Sequence, residues 1–429
     1  MTTPQTLPAP PEPSALFGSG LDDLAVADPA NDPCFDFVAA RLDAALTRVA
    51  RRLSGRIDGA AHAQLELAAD VLAALPDAAR RRVVTHPYSM YWLVKQYERC
   101  LVGDRAQIET AMFDIGRFVL LPALQHDCLP DRELLVRARG GQLRFPGFPR
   151  HVLLPYGTPD GPVRVGIEDD RVTFRAAGCD IHVPVEELLG RAEPGGGSPV
   201  AQRPVIPGSD IEVDGTDAFV GELMTSINSR PPMPGYPPRD LAGMPFVGPA
   251  ALDHLGAACD LLDRAWPEAG AELRSYTRLV VPFVSRCYST FAEAAFLGAV
   301  FMGECRHPFS DLMYTAEHLL HEHSHLRLRL IMEQDPVYYG DPNALVTSPW
   351  RRDPRPLIGI VQGVFVFARV ARFLRRAYDL LGEERFAVRH HEVTADLRGG
   401  LETLRDPALV RFTPVGQAIV DQCELEAQR

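Results

Sequence analysis

The chain has 429 residues, 46% of them apolar and 23% charged, with a formal net charge of −12 and a pI near 5.6. That length suits two or three structural units, each with a sizeable core, and the acidic balance argues against a surface that tracks nucleic-acid phosphates. No run of about 18 apolar residues is read as long enough to span a bilayer, and the first 33 residues lack a basic segment followed by an apolar one. The expectation is a cytoplasmic protein with neither nucleic acid nor membrane as partner.

Residues 1–33 carry Pro4, Pro8, Pro10, Pro11 and Pro13 without apolar periodicity, which predicts a disordered tail outside the fold. From 34 to 127, apolar residues recur at helical spacing: Phe37, Leu42, Leu46 and Val49, then Leu65, Val71 and Leu72, then Trp92, Leu93 and Tyr97, then Phe113 and Phe118. This predicts a helical unit. Between 128 and 217 the pattern turns to short β-like runs such as Val152-Leu153-Leu154, Val163-Arg164-Val165 and Val172-Thr173-Phe174, separated by Pro, Gly and Asp. These predict a small antiparallel sheet inserted between helical parts. The Gly195-Gly196-Gly197 run has no Lys-Ser/Thr after it, so it reads as a loop and not a phosphate cradle.

Residues 218–248, with Pro231, Pro232, Pro234, Pro237 and Pro238, are expected to form a linker or lid. The remaining unit, 249–429, is predicted to be helical with a few strands. Its elements are a helix over about 249–273, strand candidates at 278–284 and 296–302, a strong helix over 310–332, an irregular proline-punctuated loop, and helices over 357–381 and 393–404. The fold class expected is therefore α+β, predominantly helical. The eight cysteines (34, 100, 128, 179, 259, 287, 305 and 423) include no Cys-x-x-Cys pair and read as reduced thiols.

Chemistry concentrates in the helix over 310–332, which contains His321-Glu322-His323-Ser324-His325, a His-Glu-x-x-His pattern. Residues four apart share a helix face, so the imidazoles of His321 and His325 can converge on one metal ion, with Glu322 close enough to act on a metal-bound water. Leu319, Leu320, Leu326, Leu328 and Leu330 imply that the helix is buried. His318 lies one turn earlier on roughly the same face and reads as packing or as a group just outside the metal's own ligands, while His323 points elsewhere. Two imidazoles need a further ligand. The extended His-x-x-Gly-x-x-His arrangement is missing, because Leu328 and Ile331 stand where its Gly and His would be. Glu333 and Asp335 follow the helix and could turn back as a carboxylate ligand.

The wider pattern resembles the HExxH-motif family associated with ribosomal peptide biosynthesis, a family of peptide-modification proteins. The resemblance is carried by Gly298-Ala299-Val300-Phe301-Met302, the motif itself, Asp335-Pro336, Ser348-Pro349-Trp350-Arg351, Asp353-Pro354-Arg355-Pro356 and Gly363-Val364-Phe365-Val366-Phe367. It is looser around Pro87–Leu93 and Thr413-Pro414-Val415-Gly416, and covers most of 275–416. It implies an oxidoreductase: an iron(II)- and 2-oxoglutarate-dependent hydroxylase acting at the β-carbon of a peptide or amino-acid substrate in natural-product biosynthesis.

One position departs from the family, which typically has a His before Gly-Val-Phe where this chain has Gln362. A Gln carbonyl is neutral and binds a borderline metal more weakly than imidazole. Three readings stay open: Gln362 as a weak ligand, Gln362 beside the ligands with Glu333 or Asp335 completing the set, or a degenerate site in a binding partner. A bound 2-oxoacid would need a cationic clamp. Arg355, between two prolines in the matching turn, suits that role through its planar fork, with Arg351 and Arg327 as alternatives. The runner-up chemistry is a zinc hydrolase or peptidase in which Glu322 is the general base.

Overall fold

In the computed structural model, the described residues are 12–17, 23–53, 57, 59–102, 105–129, 132–168, 170–176, 178–231, 238–244, 248–286, 288–303, 309–351 and 353–429. The fold is α+β and predominantly helical. Helices Pro33–Leu53, Gly59–Ala74, Asp77–Val84, Pro87–Val102, Arg105–Met112 and Gly116–Gln125 form the first part. Pro33 and Pro87 open their helices, where a missing N–H leaves no bond unmade.

A four-stranded antiparallel meander follows, made of Leu134–Ala138, Gly161–Glu168, Arg171–Ala176 and Cys179–Pro184 in that order. Gln142–Arg144, Arg150–Leu153 and Val200–Gln202 make a second antiparallel sheet. Between the two halves of the molecule lies a third, mixed sheet ordered Thr290–Phe291, Ala299–Gly303, Leu279–Val284, Glu212–Val213. Its central strand pairs in parallel with Ala299–Gly303 and Glu212–Val213 and antiparallel with a fifth strand, Ala242–Gly243, while Thr290–Phe291 is antiparallel at the edge. Alternate residues of this sheet enter two cores. Val280, Val300 and Met302 face the C-terminal helices, and Leu279, Val281, Phe283 and Phe301 face the N-terminal helices and the β meander. Burial on both faces explains the unbroken apolar runs, which alternation alone would not reveal as strands.

The C-terminal core is built by helices Pro249–Ala265, Pro267–Tyr276, Leu312–Met332, Leu357–Leu381, Glu384–Thr403 and Pro414–Ala427. Fully buried residues such as Leu319, Leu320, Phe365 and Phe373 contribute about 1.5–3 kcal/mol each. By length and composition, Leu357–Leu381 could cross a membrane, which corrects the expectation that no such run exists. Its most apolar stretch is 78% buried among the other helices, so its apolarity is accounted for by the core.

Other expectations also change. The helix expected over 249–273 is two helices, because Pro267 cannot continue the first and instead starts the second. The helix expected from 393 begins at Glu384, and Pro414–Ala427, capped by Thr413, adds a helix the periodicity did not suggest. The boundary expected at 127/128 falls between elements that share one core. Of the 218–248 linker or lid, Ala218–Asn228 is a helix capped by Asp217 and Ala242–Gly243 is a strand, while 232–237 and 245–247 lie outside the described residues.

The tail reading of 1–33 is corrected most. Pro13–Phe17 is helical, and residues 23–32 run as a strap through the C-terminal core, with Leu24 and Ala25 each 1% exposed. Asp23 accepts from the Trp266 indole at 2.6 Å and pairs with Arg372 and Arg376, and Asp32 pairs with Arg327 at 2.8 Å. The short apolar run Leu24–Ala27 and two aspartates with buried arginine partners anchor a segment whose composition resembles a tail. Residues 1–11 and 18–22 lie outside the described residues.

Candidate functional site

The helix Leu312–Met332, hereafter the motif helix, starts at Asp311, whose carboxylate accepts from Tyr314 N at 3.1 Å and so satisfies a first-turn N–H. Helical periodicity sets His321 and His325 one turn apart on one face, with ring centroids 5.1 Å apart and planes at 65°. Both rings are half-buried and open into a cavity of about 590 Å³. Four elements wall it: the edge strand and its continuation (Thr290, Phe291, Ala292, Glu293, Ala294), the motif helix (His321, Glu322, His325, Arg329), the long helix Leu357–Leu381 (Ile358, Gly359, Gln362, Gly363, Phe367), and the loop before it (Trp350, Arg351, Arg355, Pro356).

Burial, reinforced by the neighbouring His325 and His318, pushes the His321 imidazole well below its ordinary pKa, and burial alone takes His325 to about 4. Both rings are therefore neutral near pH 7, the state in which a ring nitrogen can bind a metal. Among the described residues neither ring has a hydrogen-bonding partner. Glu322 is 3% exposed, and burial raises its carboxyl to about 7 although the Thr290 side chain and the Ala292 backbone favour the charged form.

Six of the residues singled out from the sequence meet at this cavity: His321, Glu322, His325, Gln362, Arg351 and Arg355. Gln362 comes from the long helix, which packs along the motif helix, so its amide shares the cavity with both imidazoles. Arg351 and Arg355 flank Asp353, with nitrogen–oxygen distances of 3.5 and 3.8 Å.

The alternatives do not reach it. Glu333 caps the C-terminus of the motif helix and pairs with Arg41 at 2.7 Å and Arg329 at 2.8 Å. Asp335 is fully buried and accepts from Val337 N and the Thr413 hydroxyl, both at 2.6 Å, so it holds a turn against the last helix. Arg327 points off the opposite face of the motif helix into a buried cluster with Asp32 and Glu272. His323 lies on that face too, at 2.7 Å from Glu272 Oε1 and 3.1 Å from the Thr277 hydroxyl. His318 stacks on Tyr314 and does not line the cavity.

The sequence reading missed Arg329 and the edge strand, and gave Trp350 and Phe367 no role. Arg329 was within reach of the same rule that found the motif, since 321, 325 and 329 are spaced by four. The edge strand has no such signal, because Thr290–Phe291 is two residues long and its placement depends on pairing with distant Phe301 and Met302.

Two neutral imidazoles and an amide are a donor set that a divalent transition metal can use, with positions left over for other ligands. Among the described residues no group of three or more His, Cys, Asp or Glu converges as a metal-ligand set; of the three further ligands read from the sequence, Gln362 lines the cavity and Glu333 and Asp335 do not. No family model matches the chain, and a comparison with curated proteins finds no match either.

Proposed function

We propose that the chain is a metal-dependent oxidoreductase of the iron(II)/2-oxoglutarate type, hydroxylating a peptide or amino-acid substrate. The observation that carries this reading is the convergence, in one cavity, of two neutral imidazoles with three guanidinium groups, Arg329, Arg351 and Arg355. His321, His325 and Gln362 would hold iron, which when bound supplies oxygen activation and hydrogen-atom abstraction from an unactivated carbon.

The protein's own groups do the rest. The guanidinium forks of Arg355 and Arg351 pair with the distal carboxylate of a 2-oxoacid and fix its orientation. Phe291, Trp350 and Phe367 supply an apolar wall that excludes water from the reacting carbon. Glu322 faces the Thr290 side chain and the Ala292 backbone of the edge strand, and so braces the motif helix against one wall of the cavity.

The test is incubation of the full chain with iron(II), ascorbate and 2-oxoglutarate, with and without candidate peptides. Succinate release that disappears in His321→Ala and Arg355→Ala, with substrate gaining the mass of one oxygen, supports the proposal. Cleavage of peptide bonds with zinc overturns it in favour of a hydrolase with Glu322 as base. Absence of both reactions points to a catalytically silent binding partner.

A further inference from the structure

Metal-binding imidazoles are usually held in one orientation by a carboxylate or carbonyl on the ring nitrogen away from the metal. His321 and His325 have no such partner among the described residues. His321 meets the ring of Phe367 instead, at a centroid distance of 5.8 Å and an angle of 68°. Phe367 in turn meets Trp350 at 5.0 Å and 74°.

The place Trp350 occupies is set by glycines on two helices. A Cβ at Gly363 on the long helix would lie 2.4 Å from Trp350 Cζ2, and one at Gly400 on Glu384–Thr403 would lie 2.6 Å from Cζ3. A Cβ at Gly399 would lie 2.6 Å from Cβ of Pro349, the residue before it. The notch therefore grips the six-membered ring of the indole, and the adjoining Pro349 is seated in the same way. Arg351 is the next residue, and Arg355 follows four further on in a strand paired with Leu345–Val346.

We propose that Trp350 is a positioning residue of this site, locked by Gly363 and Gly400. Through Phe367 it sets the ring plane of His321, and through its own backbone it holds Arg351 and Arg355 over the cavity. This rests on the reading above, in which His321 holds a metal and the arginines an anion. The aromatic chain does for His321 what a hydrogen bond does elsewhere, but by shape: the indole fills the notch and touches Phe367.

Gly400→Ala is the decisive variant, because Gly400 does not line the cavity and the atoms nearest its new methyl belong to the indole and Val364. Cobalt(II) titration followed by absorption, and 2-oxoglutarate binding by calorimetry, should each weaken by about tenfold in the folded variant. Indole emission should shift as the ring leaves the notch. Adding Trp350→Phe, a smaller ring that clears the methyl, should recover affinity, which a general loss of stability would not allow. Trp350→Ala should weaken both affinities without any such recovery. An emission shift with unchanged cobalt and 2-oxoglutarate affinities overturns the positioning role, and no emission shift overturns the lock. If the native chain binds no cobalt, the metal reading falls and this proposal with it, whereas native binding that is indifferent to Gly400→Ala and Trp350→Ala removes this proposal alone.

Discussion

The motif helix carries histidines on two faces, and the two faces are built in opposite ways. On the inner face, His323 and Arg327 meet Glu272, Asp32 and the Thr277 hydroxyl at 2.7 to 3.7 Å, and Arg369 pairs with the same Glu272 at 2.6 Å. On the cavity face, His321 and His325 meet aromatic rings and open space, and their nitrogens have no partner among the described residues. Burial penalises charge on both faces. The inner face answers with counter-charges, while the outer face leaves neutral lone pairs available. A polar group that is buried and ion-paired belongs to the architecture; one held neutral at the wall of a cavity is available to a ligand.

The sharpest way to break this comparison is at Glu272. Burial would raise its carboxyl, but Arg369, His323 and Arg327 outweigh that and hold it far below the usual range. Its removal leaves two buried guanidinium groups short of a partner. Glu272→Ala should therefore cost about 3–5 kcal/mol in urea denaturation, and a cost under 1 kcal/mol would show that the inner cluster is not tightly coupled. The sign of the pH dependence follows from the depressed value. The stabilisation from Glu272 is fully present above its ordinary value of 4.5, and it is lost as pH falls below that value towards the depressed one. The gap between native and variant stability should accordingly close in acid.

His323→Ala is the next largest, at about 1–3 kcal/mol, because Glu272 and the Thr277 hydroxyl each lose a partner in a dry site. Metal content should survive. If it does not, the two faces are coupled and the division between them fails.

The sequence made one face of this helix legible and hid the other. A spacing of four and a run of leucines were enough to place His321 and His325 together on a buried helix, since both signals are local. The partners of the inner face are not local: Asp32 and Glu272 lie 295 and 51 residues from the groups they bind, Arg327 and His323. The strap over 23–32 was read as a tail because proline content dominated its neighbourhood, and nothing nearby showed that Asp23 and Asp32 had arginines waiting. Likewise the glycines that seat Trp350 look unremarkable in sequence, because their meaning is the space left on helices that meet only in the fold. The third-ligand question was open for the same reason. Gln362, Glu333 and Asp335 are equally acceptable along the chain, and only packing of the long helix against the motif helix separates them.

Gln362→His sharpens the cavity face itself. If the amide is the weak third ligand, imidazole in its place should tighten cobalt(II) or iron(II) binding by about 10-fold or more. Unchanged affinity would mean that position 362 touches the bound molecule and not the metal.

The smallest expected effect tests the comparison from the other side. His325 is half-buried, makes no hydrogen bond among the described residues, and is held neutral with its pKa near 4. Replacing it removes no intramolecular polar contact, and the vacated volume opens into an existing cavity. His325→Ala should thus change unfolding free energy by only about 0.5 kcal/mol in either direction, as substitutions free of a buried partner usually do. The same variant should lose stoichiometric metal. Retained metal would remove His325 from the ligand set, while a stability loss as large as that of His323→Ala would mean that this ring, too, is part of the architecture. Set beside His323→Ala, two residues earlier on the same helix, the pair gives opposite outcomes in two assays: stability without metal for His325, metal without stability for His323. General damage to the motif helix would lower both readings in both variants, and so cannot imitate that crossing.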